Sequence, residues 1–387
     1  MKHMVSIYDR YFASIYLAII GDKIGFGNGD RERNYRSDMI TTDSKPDYNA
    51  IVEGLSIIMI FRFISEGGVH GLDLNRLIVS DDSEMHIATI NGFTFDYEDY
   101  DGLYTKIVEY YLIAFKDISY MRDTLLAGRQ TIEAINSIKT GTNWKKFPYN
   151  KNAGGSGGPM RAMCIGLVFH KKTELLKLIE TTIMITSITH PNCTAFIGSI
   201  IAALFIQYAI RGLNVETWIF EIITLLESEI IDDIIKRIKP SYIEFFKADK
   251  KNYLYKILTY VETSFDNFNY IINDKHIRSL YPNKRMLYYY DNFATNKKII
   301  YPGSGSDDCI IIAYDCLLMS KSNYEKLIYT SMIHIGDSDT IGTIASAWYG
   351  ALYGFVDIPF NLISPDNKYY EDIKNLSLKL YNKFYKI

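Results

Sequence analysis

Residues 334–354, HIGDSDTIGTIASAWYGALYG, combine an acidic turn with a predicted helix of small and aromatic residues. Asp337 and Asp339 stand two residues apart, so in an extended turn their carboxylates leave the same side of the backbone. Thr340 adds a hydroxyl where the helix begins. Oxygen ligands of this kind suit Mg²⁺, Mn²⁺ or Ca²⁺ rather than zinc. Taken alone, however, such a turn more often caps a helix than binds a metal ion.

A second acidic turn, Ser80-Asp81-Asp82-Ser83, also precedes an apolar helix. Adjacent carboxylates repel each other, and neighbouring helical residues diverge by about 100°, so both acids can face one point only in a first helical turn. A cation at that point resolves the repulsion. If the two turns met, they would supply four carboxylates and two hydroxyls, which is enough for two hard cations.

Between these turns, a glycine-rich stretch, Gly154-Gly155-Ser156-Gly157-Gly158, precedes another apolar helix. Backbone amides without side-chain hindrance at a helix N-terminus can bind an anion such as a diphosphate. The wider region 140–159 is rich in Gly, Asn and Lys, which by itself indicates a linker between two domains.

These motifs belong to a series that spans most of the chain. In order, the series is Gly21-Asp22 with Gly25, Asn28-Gly29 and Glu32; Val79-Ser80-Asp81-Asp82 with Met85-His86 and Ala88-Thr89; the glycine-rich stretch with Met160-Arg161; Thr189-His190; Ala313-Tyr314-Asp315; and Gly336-Asp337-Ser338-Asp339. In this order and spacing they resemble the ADP-ribosylglycohydrolase family. The resemblance implies an all-α fold, one compact multi-helix domain over residues 1–387 with a central two-metal site, and it overrides the linker interpretation. Region 240–298 resembles the family least.

The resemblance also implies an activity, a cofactor and a set of site residues. The motif sequences are most similar to those of family members that release arginine from ADP-ribose with two Mg²⁺ ions. Mn²⁺ is an alternative to Mg²⁺. The metal ligands would be Ser80, Asp81, Asp82, Asp337, Asp339 and Thr340. Catalysis would fall to Asp81 and Asp82, which activate water, and to Glu32. The residues that bind substrate would be Gly128, Gly155, Ser156, Gly157, His190, Tyr301, Gly303 and Asp308.

Composition limits the partners. A net charge of -3 and a pI near 6.2 argue against nucleic acid or an anionic membrane as the main partner. The four cysteines, Cys164, Cys193, Cys309 and Cys316, lack metal-type spacing and are typical of reduced residues in an intracellular, cytoplasmic protein. The apolar runs 11–20 and 195–210 predict buried core helices, since the second is shorter than the ~20 residues of a membrane span. We expect a monomer that acts on ADP-ribosylated proteins and binds ADP-ribose.

Two other functions stay open. Segment 301–308 is shorter than is usual in the family, and Ser304 replaces a characteristic tryptophan, which permits other linkages such as serine-ADP-ribose, poly-ADP-ribose or O-acetyl-ADP-ribose. A non-catalytic ADP-ribose-binding module is the alternative outside enzymes. The four intact acids argue against it, because a pure binder does not need carboxylates that repel one another.

Overall fold

A computed structural model describes residues 5–31, 48–266, 271–272, 282–294 and 301–386. These residues contain eighteen α-helices, which confirms the all-α prediction. The helices are α1 (Ile7–Phe26), α2 (Tyr48–Ser65), α3 (Gly68–Gly71), α4 (Asp81–Thr94), α5 (Tyr100–Ala114), α6 (Ile118–Asp123), α7 (Arg129–Lys139), α8 (Pro159–Val168), α9 (Leu175–Ser187), α10 (Cys193–Arg211), α11 (Trp218–Glu227), α12 (Ile230–Ile238), α13 (Ile243–Ser264), α14 (Pro282–Asn292), α15 (Asp308–Ser320), α16 (Tyr324–Ser331), α17 (Ser338–Tyr353) and α18 (Tyr370–Phe384). In the described ranges, strands are limited to a two-residue antiparallel pair, β1 (Phe265–Asp266) and β2 (Ile271–Ile272).

Helices α1 and α17 form the centre of the domain, and glycines let their backbones touch. A Cβ atom added to Gly21 would lie 2.2 Å from the carbonyl oxygen of Gly342, and one added to Gly25 would lie 2.2 Å from that of Ser338. A real Cβ cannot approach backbone so closely, so only glycine permits this spacing. The N-terminal turn of α17, which carries Asp339 and Thr340, is therefore held against the C-terminal half of α1.

The two apolar runs form core helices, as predicted. Segment 11–20 is buried within α1. Helix α10 is long and apolar enough to cross a membrane by length and composition, but 94% of its most apolar window is buried inside the protein. The indole of Trp348 in α17 donates a hydrogen bond to the carbonyl of Ala202 in the middle of α10, at 3.0 Å. Helices α10 and α17 therefore pack in one hydrophobic core.

Region 140–159 is fastened to the rest of the domain. The amide of Asn150 donates to the carbonyl of Pro191 at 2.9 Å, and the Asn192 side chain donates back to the carbonyl of Asn150 at 3.0 Å. Trp144 is buried. The stretch therefore packs as a wall of the domain, despite its linker-like composition.

The four cysteines are buried and free.

Candidate active site

Four helices begin at one cavity of about 370 Å³. They are α4, α7, α8 and α17, which come from distant parts of the chain. The residues that line the cavity are Asp81, Asp82, Leu126, Gly128, Arg129, Gln130, Thr131, Asn152, Gly155, Ser156, Gly157, Met160, His190, Tyr301, Ser304, Asp337, Asp339 and Thr340. A helix N-terminus carries partial positive charge and free amide groups, so this convergence favours negative charge in the cavity, whether from side chains or from a ligand.

The first acidic turn forms the start of α4. Ser80 is the N-cap, and its hydroxyl oxygen accepts a hydrogen bond from the amide of Asp82 at 3.1 Å. Asp82 is 3% exposed, and its Oδ2 atom is buried without a hydrogen-bond partner among the described residues. Burial, followed by repulsion from Asp339 and Asp81, raises the pKa of Asp82 well above its ordinary value. This carboxylate therefore needs either a proton or a cation.

The second acidic turn starts α17 and reaches the same cavity. Asp337 is the N-cap residue, and its Oδ2 accepts a hydrogen bond from the hydroxyl of Ser156 at 3.0 Å. The expected extended turn is wrong, because Asp339 lies within the first helical turn, where its Oδ1 accepts from the amide of Thr340 at 3.0 Å. Burial and the neighbouring Asp337 raise the pKa of Asp339 well above its usual range.

The chemistry of these donors fits a hard divalent cation. The side-chain donors of both turns are oxygen atoms, and the buried, unpartnered Oδ2 of Asp82 is an orphaned ligand atom. In the described part of the chain, however, no three His, Cys, Asp or Glu side chains are arranged to hold a metal ion. The four carboxylates face one cavity, and they would have to draw closer together to share an ion.

Asp22, in the C-terminal half of α1, organises the first acidic turn. Its carboxylate is fully buried and accepts hydrogen bonds from the amide of Ser80 at 3.0 Å, the amide of Ser83 at 3.2 Å and the hydroxyl of Ser83. In the sequence, Asp22 is part of the Gly21-Asp22 motif, without a predicted role in the site. The available signal was an acid inside an apolar helical run, since a buried charge needs dedicated partners. Asp22 fixes the backbone from which Asp81 and Asp82 project.

The glycine-rich loop, residues 154–158, pairs with residues 304–306. The Ser156 amide donates to the carbonyl of Ser304 at 2.9 Å, and the Ser306 amide donates to that of Gly154 at 2.9 Å. Pro159 occupies the first turn of α8. The side chain of Ser156 and one amide of the predicted anion cradle are thus engaged within the protein. The cavity wall here consists of two loops.

The structure separates the predicted substrate residues into two groups. Gly128, Gly155, Ser156, Gly157, His190 and Tyr301 line the cavity. Gly303 and Asp308 are not among the described residues that line the cavity. Gly303 has a φ of 100° and packs against Ile341, while Asp308 accepts a hydrogen bond from the amide of Gly305 at 2.8 Å. Burial and the adjacent Asp307 raise the pKa of Asp308 to about 7. Both residues shape the loop that presents Tyr301 and Ser304.

Glu32 lies outside the described residues, so its position relative to the cavity stays a prediction.

Comparisons with known proteins agree on one family. The sequence profile of the family described as ADP-ribosylglycohydrolase matches residues 4–386. A protein of Acanthamoeba polyphaga mimivirus named "Putative ADP-ribosyl glycohydrolase" is 31% identical over 371 residues, which cover 94% of this chain and 68% of that protein. ADP-ribosylhydrolase ARH1 of Dictyostelium discoideum is 32% identical over 321 residues, 76% of this chain and 78% of that protein.

Among solved structures, a chain described as "ADP-ribosylglycohydrolase-related protein complex" superimposes with a TM-score of 0.55. The match covers 97% of this chain and 98% of the other at 15% identity. At that identity the likeness concerns the fold alone.

Proposed function

The chain belongs to the ADP-ribosylglycohydrolase family, whose reaction is hydrolysis of an ADP-ribosyl bond, and from this premise we propose that it removes ADP-ribose from arginine in mono-ADP-ribosylated proteins, with Mg²⁺ as cofactor. One observation carries the proposal. Four buried acids from two helix starts line the same cavity as the glycine-rich loop and His190. Acids, an anion-binding loop and a ring-binding wall are the features that a ribosyl diphosphate requires.

In this proposal, ADP-ribose lies along the cavity with its diphosphate beside the glycine-rich loop. The N-termini of α7 and α8 face that region and favour the negative charge of the phosphates. The adenine lies near His190, and the terminal ribose lies beside Asp82 and Asp339. The substrate would therefore span from the buried histidine to the acidic turns.

Ser80, Asp81, Asp82, Asp337, Asp339 and Thr340 would hold two Mg²⁺ ions, or Mn²⁺ in their place. When bound, such ions would orient the ribose hydroxyls and stabilise charge. Asp22 and Ser156 would hold the acidic turns in place from behind, through the hydrogen bonds to Ser80, Ser83 and Asp337.

The proposed bond cleavage uses carboxylates of this chain. A carboxylate of the Asp81–Asp82 pair takes a proton from water as the water oxygen bonds to the anomeric carbon of the ribose. The bond from that carbon to the arginine nitrogen breaks, and the electron pair goes to the guanidine. The leaving nitrogen takes up a proton, for which Glu32 is the proposed donor. The products are ADP-ribose and an intact arginine.

The segment 301–308 supports a second candidate substrate class. Ser304 contributes a small polar side chain to the cavity wall, in place of the tryptophan that is characteristic of the family. A wall without that aromatic ring leaves room for serine-linked or other ADP-ribosyl bonds. We propose that either substrate is met inside the cell, in keeping with four buried, unpaired cysteines, and that the protein acts as a monomer.

The deciding experiment measures release of ADP-ribose from an arginine-ADP-ribosylated protein and, in parallel, from a serine-linked substrate, each with Mg²⁺ and with EDTA. We expect Mg²⁺-dependent release from arginine. Asp337→Ala and Asp339→Ala should lower it by at least about 100-fold, because each removes a proposed metal ligand. Asp96→Asn, at a fully exposed acid, is the matched control and should keep full activity.

Three outcomes would change the assignment. Release from serine alone would favour the second substrate class. Release that is unaffected by EDTA would contradict the cofactor. ADP-ribose binding without release from any linkage would indicate a binding module.

A further inference from the structure

A fully buried arginine stands directly behind the glycine-rich loop. Arg161 in α8 is 0% exposed, and its guanidinium donates hydrogen bonds to the carbonyl of Gly157 and, at 2.6 Å, to the hydroxyl oxygen of Thr189. It also lies over the ring of Tyr111, 5.3 Å from the centroid. Burial of a cation is costly, and these hydrogen bonds offset part of that cost, although Nε has no hydrogen-bond partner among the described residues. The arginine therefore fixes two neighbouring pieces of the cavity wall.

These contacts determine to which atom the hydroxyl of Thr189 donates its proton. A guanidinium can only donate, so Thr189 Oγ1 accepts from Arg161. In the described part of the chain, the other partner of this hydroxyl is Nδ1 of His190, at 2.8 Å. A buried hydroxyl also requires an acceptor for its own proton, and Nδ1 is the one within reach. His190 Nδ1 therefore accepts a hydrogen bond and carries no proton.

The second ring nitrogen of His190 faces the glycine-rich loop. A Cβ atom added to Gly157 would lie 2.9 Å from Nε2, and one added to Gly155 would lie 3.9 Å from it. His190 is 3% exposed and lines the cavity. Burial, followed by the charge of Arg161, lowers the pKa of His190 well below its ordinary value, so the ring is neutral at pH 7. A neutral ring with a bare Nδ1 must carry its proton on Nε2.

We propose that Arg161 and Thr189 are positioning residues that hold His190 as the neutral Nε2–H tautomer, so that it donates a hydrogen bond to an acceptor atom of the bound ligand. The identity of that ligand as ADP-ribose rests on the proposed function; the tautomer does not. A donor at this wall selects a phosphate oxygen or an unprotonated ring nitrogen, and it disfavours a ligand that presents an N–H group there. Arg161 and Thr189, the relay, thus contribute to substrate selection without touching the substrate.

The tautomer can be read directly by NMR on ¹⁵N-histidine-labelled protein, with long-range ¹H–¹⁵N correlations. We expect a protonated Nε2 and an unprotonated Nδ1 for His190 at pH 7. His334 is an internal reference, since its Nδ1 accepts from the amide of Gly336 at 3.0 Å and its Nε2 faces the carbonyl of Ser331 at 2.9 Å. A protonated Nδ1 at His190, in either a neutral or a charged ring, would overturn the proposal.

Two substitutions at Thr189 test the relay. Thr189→Val removes the hydroxyl but keeps the shape, so the Nδ1–H form of His190 should appear and the Kd for ADP-ribose should rise about tenfold, the cost of one hydrogen bond. Thr189→Ser keeps the hydroxyl and should restore both. The signals of His334 should not change in either variant, which reports that the fold is intact.

An unchanged His190 tautomer in Thr189→Val would contradict the relay. So would an ADP-ribose affinity equal to that of the wild type. If the wild-type protein did not bind ADP-ribose, the proposed function would fail, while the spectrum of the free protein would still decide the tautomer.

Discussion

Asp22 is the single residue on which the first acidic turn most depends. In Asp22→Asn, one carboxylate oxygen becomes an amide group that can only donate, and it would face the donors of Ser80 and Ser83. We expect loss of about 2 kcal/mol of stability and a 10- to 100-fold lower activity or Mg²⁺ affinity, as is typical when a residue behind the metal ligands changes. Thermal unfolding and a Mg²⁺ titration of activity measure the two effects.

Asp99 offers a matched control for this change. It caps α5 by accepting from the amide of Gly102 at 2.8 Å, and it is exposed. Asn caps helices about as well as Asp, so Asp99→Asn should leave stability and activity close to those of the wild type. If Asp22→Asn behaved like Asp99→Asn, the organising role of Asp22 would be wrong.

At this scale, the sequence reveals residues whose chemistry is visible in their neighbours. Asp81-Asp82 and Asp337-Ser338-Asp339 could be recognised because acids crowd within one turn of chain. The contacts of Asp22 and of the Arg161–Thr189 pair could not, since they join distant parts of the chain. Asp22 and Ser80 are 58 residues apart, and Arg161 and Thr189 are 28 residues apart. Such pairs exist only once helices pack.

The contact between α1 and α17 links stability to the acidic turn, and two glycines separate these effects. In Gly25→Ala the new methyl group would meet the backbone of Ser338, at the start of α17. In Gly350→Ala it would meet the backbone of Ala13, at the other end of the same interface. Each should cost about 1–3 kcal/mol by overpacking. Gly25→Ala alone should also lower activity in the folded protein, because it displaces the turn that carries Asp339.

The measurement is the specific activity of each variant well below its unfolding temperature, with Gly54→Ala in α2 as control. A Cβ atom on Gly54 meets nothing within 4 Å, so this change should be neutral or stabilising. Equal activity losses in Gly25→Ala and Gly350→Ala would show that the interface does not position the turn separately.

Helices with clear apolar periodicity were predictable, while their ends and local geometry were less so. The predicted runs 11–20 and 195–210 lie inside α1 and α10. The β-branched residues at 183–188, whose composition favours a strand, fall almost entirely in α9. Burial outweighs β-propensity there, because α9 packs on α10 and α8. The prediction of an extended turn at 337–339 is wrong, since the spacing of two acids does not reveal where the first helical turn begins.

The whole molecule carries an electrostatic strain that its proposed cofactor would relieve. Burial and mutual repulsion raise the pKa of Asp82 and of Asp339, and that of Asp308 is raised to about 7. An acid with a higher pKa in the folded state than in the unfolded state binds more protons when folded. Its contribution to the free energy of unfolding is therefore greatest below the unfolded value of about 3.9 and is lost as the pH rises through the folded pKa. Without Mg²⁺, Asp82 and Asp339 therefore make the protein less stable as the pH rises. Asp308, which lies outside the proposed metal site, adds to this loss between pH 5.5 and pH 8 with or without the ion.

Asp82→Asn should consequently stabilise the metal-free protein at pH 8 while it abolishes activity. The amide is neutral, so the repulsion from Asp339 and Asp81 disappears. The gain in melting temperature should shrink as the pH falls, because the raised pKa of Asp82 lets the wild-type acid take up a proton instead. Mg²⁺ at about 100 times its Kd should raise the melting temperature of the wild type by about 3 °C at pH 8 and less at pH 5.5, because protons compete for the same oxygens. Asp82→Asn should lose this increase, and the exposed Asp96→Asn should keep it. A wild type that Mg²⁺ stabilises equally at both pH values would show that these carboxylates are not where the ion binds.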